Sequence, residues 1–241
     1  MKLSIIIPVY NEPQTIEEII DRVSASDIGE VEKEIIIVDD SDDGITRKIL
    51  KERIESKINK IIYNEKKMGK GAAIRTGLKH VTGNFIIIQD ADLEYNPEEY
   101  ALLLKPVLDG EADVVLGSRY INRSPQKAEM YWHFFGNRLL TMLFNILTHK
   151  HLTDINTCYK LFKTEVINSI IITENRFGAD AELILKAAKL SARIKEVGIT
   201  YYERSYKEGK KIGLKDAFRE IFVIFKYGLS RTKKNNFNKV N

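Results

Sequence analysis

Residues 85–94 read FIIIQDADLE: four large apolar residues in a row, then a polar turn with two aspartates flanking an alanine. An apolar run without alternation suits a strand buried on both faces, as in parallel sheets covered by helices. Working outward, residues 3–9 (LSIIIPV), 34–38 (EIIIV), 60–63 (KIIY) and 113–116 (DVVL) are runs of the same kind. Helical spacing separates them: Ile16, Ile19, Ile20 and Val23, then Ile45, Ile49, Leu50 and Ile54, then residues 72–78. Strand–helix–strand repetition predicts an α/β fold, with a Rossmann-like, mostly parallel sheet flanked by helices and joined by right-handed crossovers. Ligands of such sheets bind beyond the carboxyl ends of the strands.

The polar clusters fall at those ends. The first strand runs into Tyr10-Asn11-Glu12, the second into Asp39-Asp40-Ser41-Asp42-Asp43-Gly44, the fourth into Gln89-Asp90-Ala91-Asp92-Leu93-Glu94, and the fifth into Gly117-Ser118-Arg119. Aspartates at such positions also serve as helix N-caps. Acidic residues gathered at one edge of one sheet nevertheless repel each other unless a cation sits among them. Asp90 and Asp92 leave a buried strand at a turn, so both carboxylates are placed to reach one point, with Glu94 as a third oxygen. Hard oxygen ligands with open positions suit Mg²⁺ or Mn²⁺ shared with a substrate diphosphate.

Composition narrows the field. The chain has 241 residues, 44% hydrophobic and 30% charged, with a net charge of +4. That balance is globular, and the charge is too mild to indicate nucleic acid. A single cysteine, Cys158, closes no intramolecular disulfide and fits a reducing compartment. Pro8 and Glu12 interrupt the first apolar stretch too early for a secretory signal. No run approaches the ~18 apolar residues of a spanning helix; the most apolar, residues 139–147, is half that length.

Several motifs fail on inspection. Residues 39–44 imitate a calcium loop, but Leu50 stands at the twelfth place, where a bidentate Glu is required. Gly69-Lys70-Gly71 lacks the P-loop spacing, and Ile74 occupies the last glycine's place in a dinucleotide fingerprint. His149 and His151 flank a lysine and read as solvated, and neither Ser41 nor Ser118 has a histidine at a triad-like spacing.

The second half reads as an apolar helix over 126–148, an extended or irregular stretch over 153–163, a helix over 179–190, a strand over 194–202 and a closing amphipathic helix. In that last helix Leu214, Ala217, Phe218, Ile221, Phe222 and Phe225 share a face. The expected organisation is a first half with the acidic turns (1–122), a second half with amphipathic helices (123–230) and a polar, disordered tail (231–241).

The ordered series Pro8-Val9-Tyr10-Asn11-Glu12, Val38-Asp39-Asp40-Ser41, Gly69-Lys70-Gly71-Ala72 with Arg75, Asp90-Ala91-Asp92 and Gly117-Ser118-Arg119 resembles the family 2 inverting glycosyltransferases of the GT-A fold. Thr153-Asp154, Cys158-Tyr159-Lys160-Leu161-Phe162, Arg176-Phe177-Gly178 with Glu182, and Tyr201-Tyr202-Glu203-Arg204 extend it over roughly residues 3–227. Within the family the chain most resembles polyprenyl-phosphate (dolichyl-phosphate) mannose and glucose synthases.

The resemblance implies roles, and it makes 1–122 the nucleotide-sugar-binding half and 123–230 the acceptor-side half. Pro8, Tyr10, Glu12, Val38 and Asp40 would line the nucleoside pocket, with Asp40 accepting from base or ribose. Lys70 and Arg75 would approach the nucleotide, and Asp90, Ala91 and Asp92 would bracket the diphosphate. Asp90, Asp92 and Glu94 would hold Mg²⁺ or Mn²⁺. Arg119, Arg138, Arg204 and Lys211 would clamp an acceptor phosphate, a task suited to a planar guanidinium fork. Asp92 and Arg119 would carry the reaction, with Asp154 as the candidate should a base be needed. A phosphate acceptor has its second pKa near ~6 and is already largely ionised, so positioning and charge stabilisation suffice. The implied partners are a nucleoside-diphosphate sugar, a polyprenyl phosphate lipid and a membrane surface bound monotopically, at the cytoplasmic face. Transfer to a soluble or glycan hydroxyl, a sugar-1-phosphate nucleotidylyltransferase and a non-catalytic nucleotide-sugar binder are the competing readings.

Overall fold

The computed structural model describes residues 1–121, 128–204 and 214–230, with the side chains of 128–133 and 214 left aside. The expected tail over 231–241, Lys211 and the boundary at 122/123 lie outside the described residues. In chain order the elements are β1 (Lys2–Val9), α1 (Ile16–Ala25), β2 (Glu32–Asp39), α2 (Ile45–Ile49), β3 (Lys60–Tyr63), α3 (Lys70–Leu78), β4 (Phe85–Ile88), α4 (Tyr100–Leu108), β5 (Val114–Ser118), α5 (Ala128–Thr148), β6 (Lys160–Lys163), α6 (Thr164–Asn168), α7 (Gly178–Lys189), β7 (Ile194–Gly198) and α8 (Leu214–Gly228).

The sheet has seven strands in the order β3-β2-β1-β4-β6-β5-β7. Every pairing is parallel except those of β6, which runs antiparallel between β4 and β5. The central strands read as apolar runs because both faces are covered. Leu3, Ile5, Ile6 and Ile7 of β1 have no exposed surface, and each such burial contributes about 1.5–3 kcal/mol. α1 lays Ile16, Ile19, Ile20 and Val23 onto the sheet. α2 gives way to a π-helical turn at Leu50–Ile54, which buries Leu50 and Ile54.

One element departs from the sequence reading. α4 (YALLLKPVL) was not among the expected helices: it is apolar almost throughout and contains Pro106, which blurs the 3.6 spacing. It buries Tyr100, Leu103, Leu104 and Val107, and Asn96 starts the turn before it by accepting from the Glu98 amide at 3.2 Å. The stretch over 153–163, expected to be extended or irregular, ends in β6, whose Leu161 pairs with both Ile87 and Val115.

One close approach fixes the ligand edge. The N-terminus of α3 runs against the backbone before α7, and the Ala72 amide donates to the Asn175 carbonyl at 3.1 Å. A Cβ on Gly71 would lie 2.3 Å from the Glu174 carbonyl oxygen and 2.6 Å from the Ala179 Cβ. Only glycine allows Lys70, one residue earlier, to be held there.

Candidate functional site

Six strands point their carboxyl ends to one edge, and the amino end of antiparallel β6 arrives there too. Tyr10, Asn11 and Glu12 follow β1. Asn11 has a φ of 50°, a conformation that asparagine tolerates better than most residues. It donates to Asp42 Oδ1 at 2.7 Å and accepts from the Asp42 amide at 3.0 Å. Tyr10 donates to Asp42 Oδ2 at 3.2 Å, and Lys67 Nζ lies 3.8 Å from the Tyr10 ring centroid.

On this nucleoside side three expected roles shift. Asp40 spends both oxygens on the loop before α3: Asn64 Nδ2 donates at 3.0 Å, the Met68 amide at 2.8 Å and the Gly69 amide at 2.7 Å. It straps that loop instead of offering a vacant acceptor to a base. Val38 is fully buried in the sheet opposite Pro8, so it supports the pocket from beneath. Arg75 turns away, donating to the Ile172 carbonyl at 3.1 Å and Asn175 Oδ1 at 2.8 Å, which ties α3 to the segment before α7.

The turn after β4 is the acidic centre. Lys70 Nζ stands 2.8 Å from Asp90 Oδ1 and 3.5 Å from Asp180 Oδ2. Lys160, wholly buried at the start of β6, pairs with the other Asp180 oxygen at 3.3 Å. Burial works to raise the Asp90 carboxyl, but the Lys70 ammonium holds it below the usual range. Burial likewise opposes charge on Lys70, and Asp180 with Asp90 more than offsets it, so the lysine stays ionised. Asp92 differs: burial, then Asp90 and Glu94, push it up to about 7 against the pull of Arg204. Glu94 is also raised, by burial first.

Arg204 completes the centre from 112 residues further along the chain. Its Nη2 is 2.5 Å from Asp92 Oδ2 and its Nη1 3.1 Å from Glu12 Oε2, while its amide donates to Glu94 Oε1 at 2.8 Å. The Tyr201 hydroxyl donates to the other Glu94 oxygen at 3.1 Å. As placed, Asp90 faces Lys70 while Asp92 and Glu94 face Arg204, and among the described residues no three His, Cys or acidic side chains converge to hold a metal. The donor set still fits a hard divalent cation. Asp92 is buried and Asp90 and Glu94 partly so, their mutual repulsion shows in Asp92, and the guanidinium facing Asp92 and Glu94 leaves its Nε buried without a hydrogen-bond partner.

Arg119 sits at the end of β5 with its guanidinium forked into Asp154: Nε to Oδ2 at 2.7 Å and Nη2 to Oδ1 at 2.8 Å. The Arg119 and Asn156 amides donate to the same carboxylate at 3.1 and 3.2 Å. Asp154 is fully buried. That geometry makes it the anchor of Arg119 and leaves little capacity for accepting a proton from an acceptor, a different place from the base suggested by sequence. Arg138 is exposed on α5, where it lines a surface cleft with Thr141, Asn145, His151 and Thr153. No described contact joins it to Arg119.

Four charged groups at this edge had no expected role. Lys160 and Asp180 extend the chain of charge behind Lys70, and Glu196 accepts the Thr153 and Asp154 amides at 2.7 and 2.9 Å. Glu220 faces inward from α8, where burial, then Asp180, push its carboxyl up to about 8 against Lys160, Arg119 and an Asn156 hydrogen bond. Lys160 lay inside a quoted motif. Asp180 reads only as a first-turn helix acid.

Beside Arg119 the surface turns apolar. Its guanidinium lies 5.3 Å from the Tyr120 ring and 5.0 Å from that of Tyr201. Tyr120 meets Phe134 edge-on at 5.0 Å, and Phe134 meets Phe135 at 5.7 Å. From there Phe135, Leu139, Met142 and Ile146 run along α5, and Phe218, Phe222, Phe225 and Leu229 follow the same spacing from α8, every one at least 41% exposed. α5 and α8 pack together. No described helix is long and apolar enough to cross a membrane.

The sheet order and its acidic edge are those of the GT-A fold, and the comparisons agree. The sequence profile of glycosyl transferase family 2 matches residues 4–171, and the chain belongs to that family. It is 26% identical over 231 residues to a dolichol-phosphate mannosyltransferase of Pyrococcus furiosus, covering 94% of this chain and 64% of that protein. It is 27% identical to glycosyltransferase AglJ of Haloferax volcanii, over 96% of this chain and 72% of the relative. An undecaprenyl-phosphate 4-deoxy-4-formamido-L-arabinose transferase of Edwardsiella ictaluri is 27% identical, over 86% and 62%. The chain thus spans less than two thirds of two of these relatives. Among solved structures, glucosyl-3-phosphoglycerate synthase of Mycobacterium tuberculosis, in complex with Mn²⁺, UDP and phosphoglyceric acid, superimposes with a TM-score of 0.71 at 20% identity, over 96% of this chain and 80% of that one.

Proposed function

We propose that this chain transfers a hexose, with inversion, from GDP-mannose or UDP-glucose to a polyprenyl phosphate at a membrane surface, at its cytoplasmic face. The observation that carries the reading is the continuous path from Arg119 through Tyr120 and Phe134 to exposed Phe135. It sets a phosphate-binding cation at the end of an apolar face, which is the shape of an ionic headgroup on a hydrocarbon chain. The apolar stripes of α5 and α8, with Arg219 and Lys226 beside Phe222, suit interfacial binding to an anionic bilayer. Two of the relatives are named for lipid-phosphate transfer.

In this reading a phosphate oxygen of the acceptor forms a bond to the anomeric carbon as the bond to the nucleoside diphosphate breaks. The acceptor is ionised before it binds, consistent with an Asp154 whose oxygens are already taken. Arg119, aimed by Asp154, holds the attacking phosphate. Lys70, fixed between Asp90 and Asp180, lies where charge grows on the leaving diphosphate. Asp90, Asp92 and Glu94 would hold Mg²⁺ or Mn²⁺, which would neutralise that leaving group.

The test is sugar transfer from GDP-mannose and UDP-glucose, with Mg²⁺ or Mn²⁺, with and without a short polyprenyl phosphate in detergent. Transfer only with the lipid phosphate is expected; transfer to a soluble hydroxyl acceptor instead would replace this reading. Asp92→Asn is expected to abolish metal-dependent turnover in a chain that still folds cooperatively, and near-normal activity would refute the metal assignment.

A further inference from the structure

Around the turn after β4 one ion-pair network joins five acidic side chains, Glu12, Asp90, Asp92, Glu94 and Asp180, to three cations: Lys70, Lys160 and Arg204. The cations are not equivalent. Lys70 and Lys160 both grip Asp180, so they stay in place whatever binds at Asp90 and Asp92. Among the described residues the Arg204 side chain pairs with Glu12, Asp92 and Glu94, all of them in or beside the acidic centre.

Its fit there is also incomplete. Arg119 sinks its Nε and one terminal nitrogen into one carboxylate. Arg204 spreads over three carboxylates, and its Nε, 3.8 Å from Glu94 Oε1, is buried without a hydrogen-bond partner. A permanent structural arginine would be expected to satisfy that donor. The backbone around it is tied down separately: the Tyr202 amide donates to the Glu94 carbonyl at 3.0 Å, and Tyr95 bridges Tyr201. The side chain is therefore able to leave while the strand end stays.

We propose that Arg204 is a resident counter-ion that a divalent cation displaces from Asp92, and that the displaced guanidinium then turns to the acceptor phosphate. The proposal rests on the function proposed above. Tyr201 links the two positions: its ring lies 5.0 Å from the Arg119 guanidinium, and its hydroxyl bonds Glu94. A guanidinium leaving Asp92 therefore starts within reach of the phosphate that Arg119 would hold. Before release, Arg204 neutralises the acids and has no charge to spare for an acceptor.

The experiment titrates Mn²⁺ into the full chain at about pH 8, where exposed carboxylates are ionised, reading free Mn²⁺ by electron paramagnetic resonance. Without nucleotide, Arg204→Gln is expected to bind Mn²⁺ at least tenfold more tightly than wild type, with Arg204→Lys between them. Equal or weaker binding by a folded Arg204→Gln would overturn the proposal, because Arg204 would then be building the site. Should Arg204→Gln fail to fold, the wild type decides: Mn²⁺ with UDP or GDP is expected to tighten farnesyl phosphate binding at least tenfold, and no change overturns the release. Tighter Mn²⁺ binding by Arg204→Gln together with no transfer to lipid would sustain the counter-ion and sink the acceptor reading.

Discussion

Asp154→Asn separates two roles that the same carboxylate would play in different mechanisms. In the structure Asp154 is fully buried and takes four donors, two from the Arg119 guanidinium and two backbone amides. The substitution keeps the shape, removes the charge and turns one acceptor into an NH₂ group facing a cation. Breaking a buried ion pair from one side costs about 3–5 kcal/mol. That is a large share of the ~5–15 kcal/mol by which a domain is stable. For a chain of this size it corresponds to a fall in Tm of roughly 10 °C. Urea unfolding gives the stability, and steady-state transfer gives KM for acceptor and donor separately. The expected result is a clear stability loss, a raised acceptor KM and unchanged donor binding, because Arg119 is no longer aimed. A loss of less than about 1 kcal/mol together with near-complete loss of kcat would refute this reasoning and restore Asp154 as a proton acceptor.

Three further outcomes are expected. Replacing Phe218 and Phe222 together by Ser removes two exposed rings from the α8 stripe; the variant should lose sedimentation with anionic vesicles while keeping its melting temperature, and unchanged sedimentation would remove α8 from the membrane face. Gly71→Ala drives a Cβ into the Glu174 carbonyl and Ala179 and should cost about 1–3 kcal/mol and weaken nucleotide binding through Lys70, whereas a neutral effect would show that the α3–α7 contact yields easily. Glu220, half-buried with its carboxyl raised to about 8, binds a proton in the folded chain that the unfolded chain releases near ~4.3. Its contribution to stability therefore falls as pH rises through that window. Glu220→Gln should gain on wild type by on the order of 1 kcal/mol between pH 5 and pH 8, read from urea midpoints, and a gap that does not widen with pH would show that Glu220 is solvated.

The sheet was readable because burial on both faces writes itself as uninterrupted apolar letters: residues 60–63 and 85–88 are strands with the expected bounds. β6 was harder, since KLFK is four residues long and begins with a buried lysine whose charge is answered by Asp180, on another element. The Asp90-Ala91-Asp92 turn was legible as acid at a strand end. The occupation of Asp40 was not, because two of its donors are backbone amides, which have no letter of their own. Nor was the cage of Arg204, whose partner Glu12 lies 192 positions away. Long-range ion pairing is decided by topology, and local spacing carries no record of it.

The reversed strand β6 also governs how the chain reaches this state. Residues 160–163 fill the gap between β4 and β5, so the sheet closes only after most of the polypeptide has been synthesised. Until then Ile86, Ile87, Val114 and Val115, all buried in the finished molecule, line two open strand edges of the kind that invite pairing with other chains. A chain ended near residue 122 would lack β6 and leave both edges open, so it is expected to aggregate where the full chain does not.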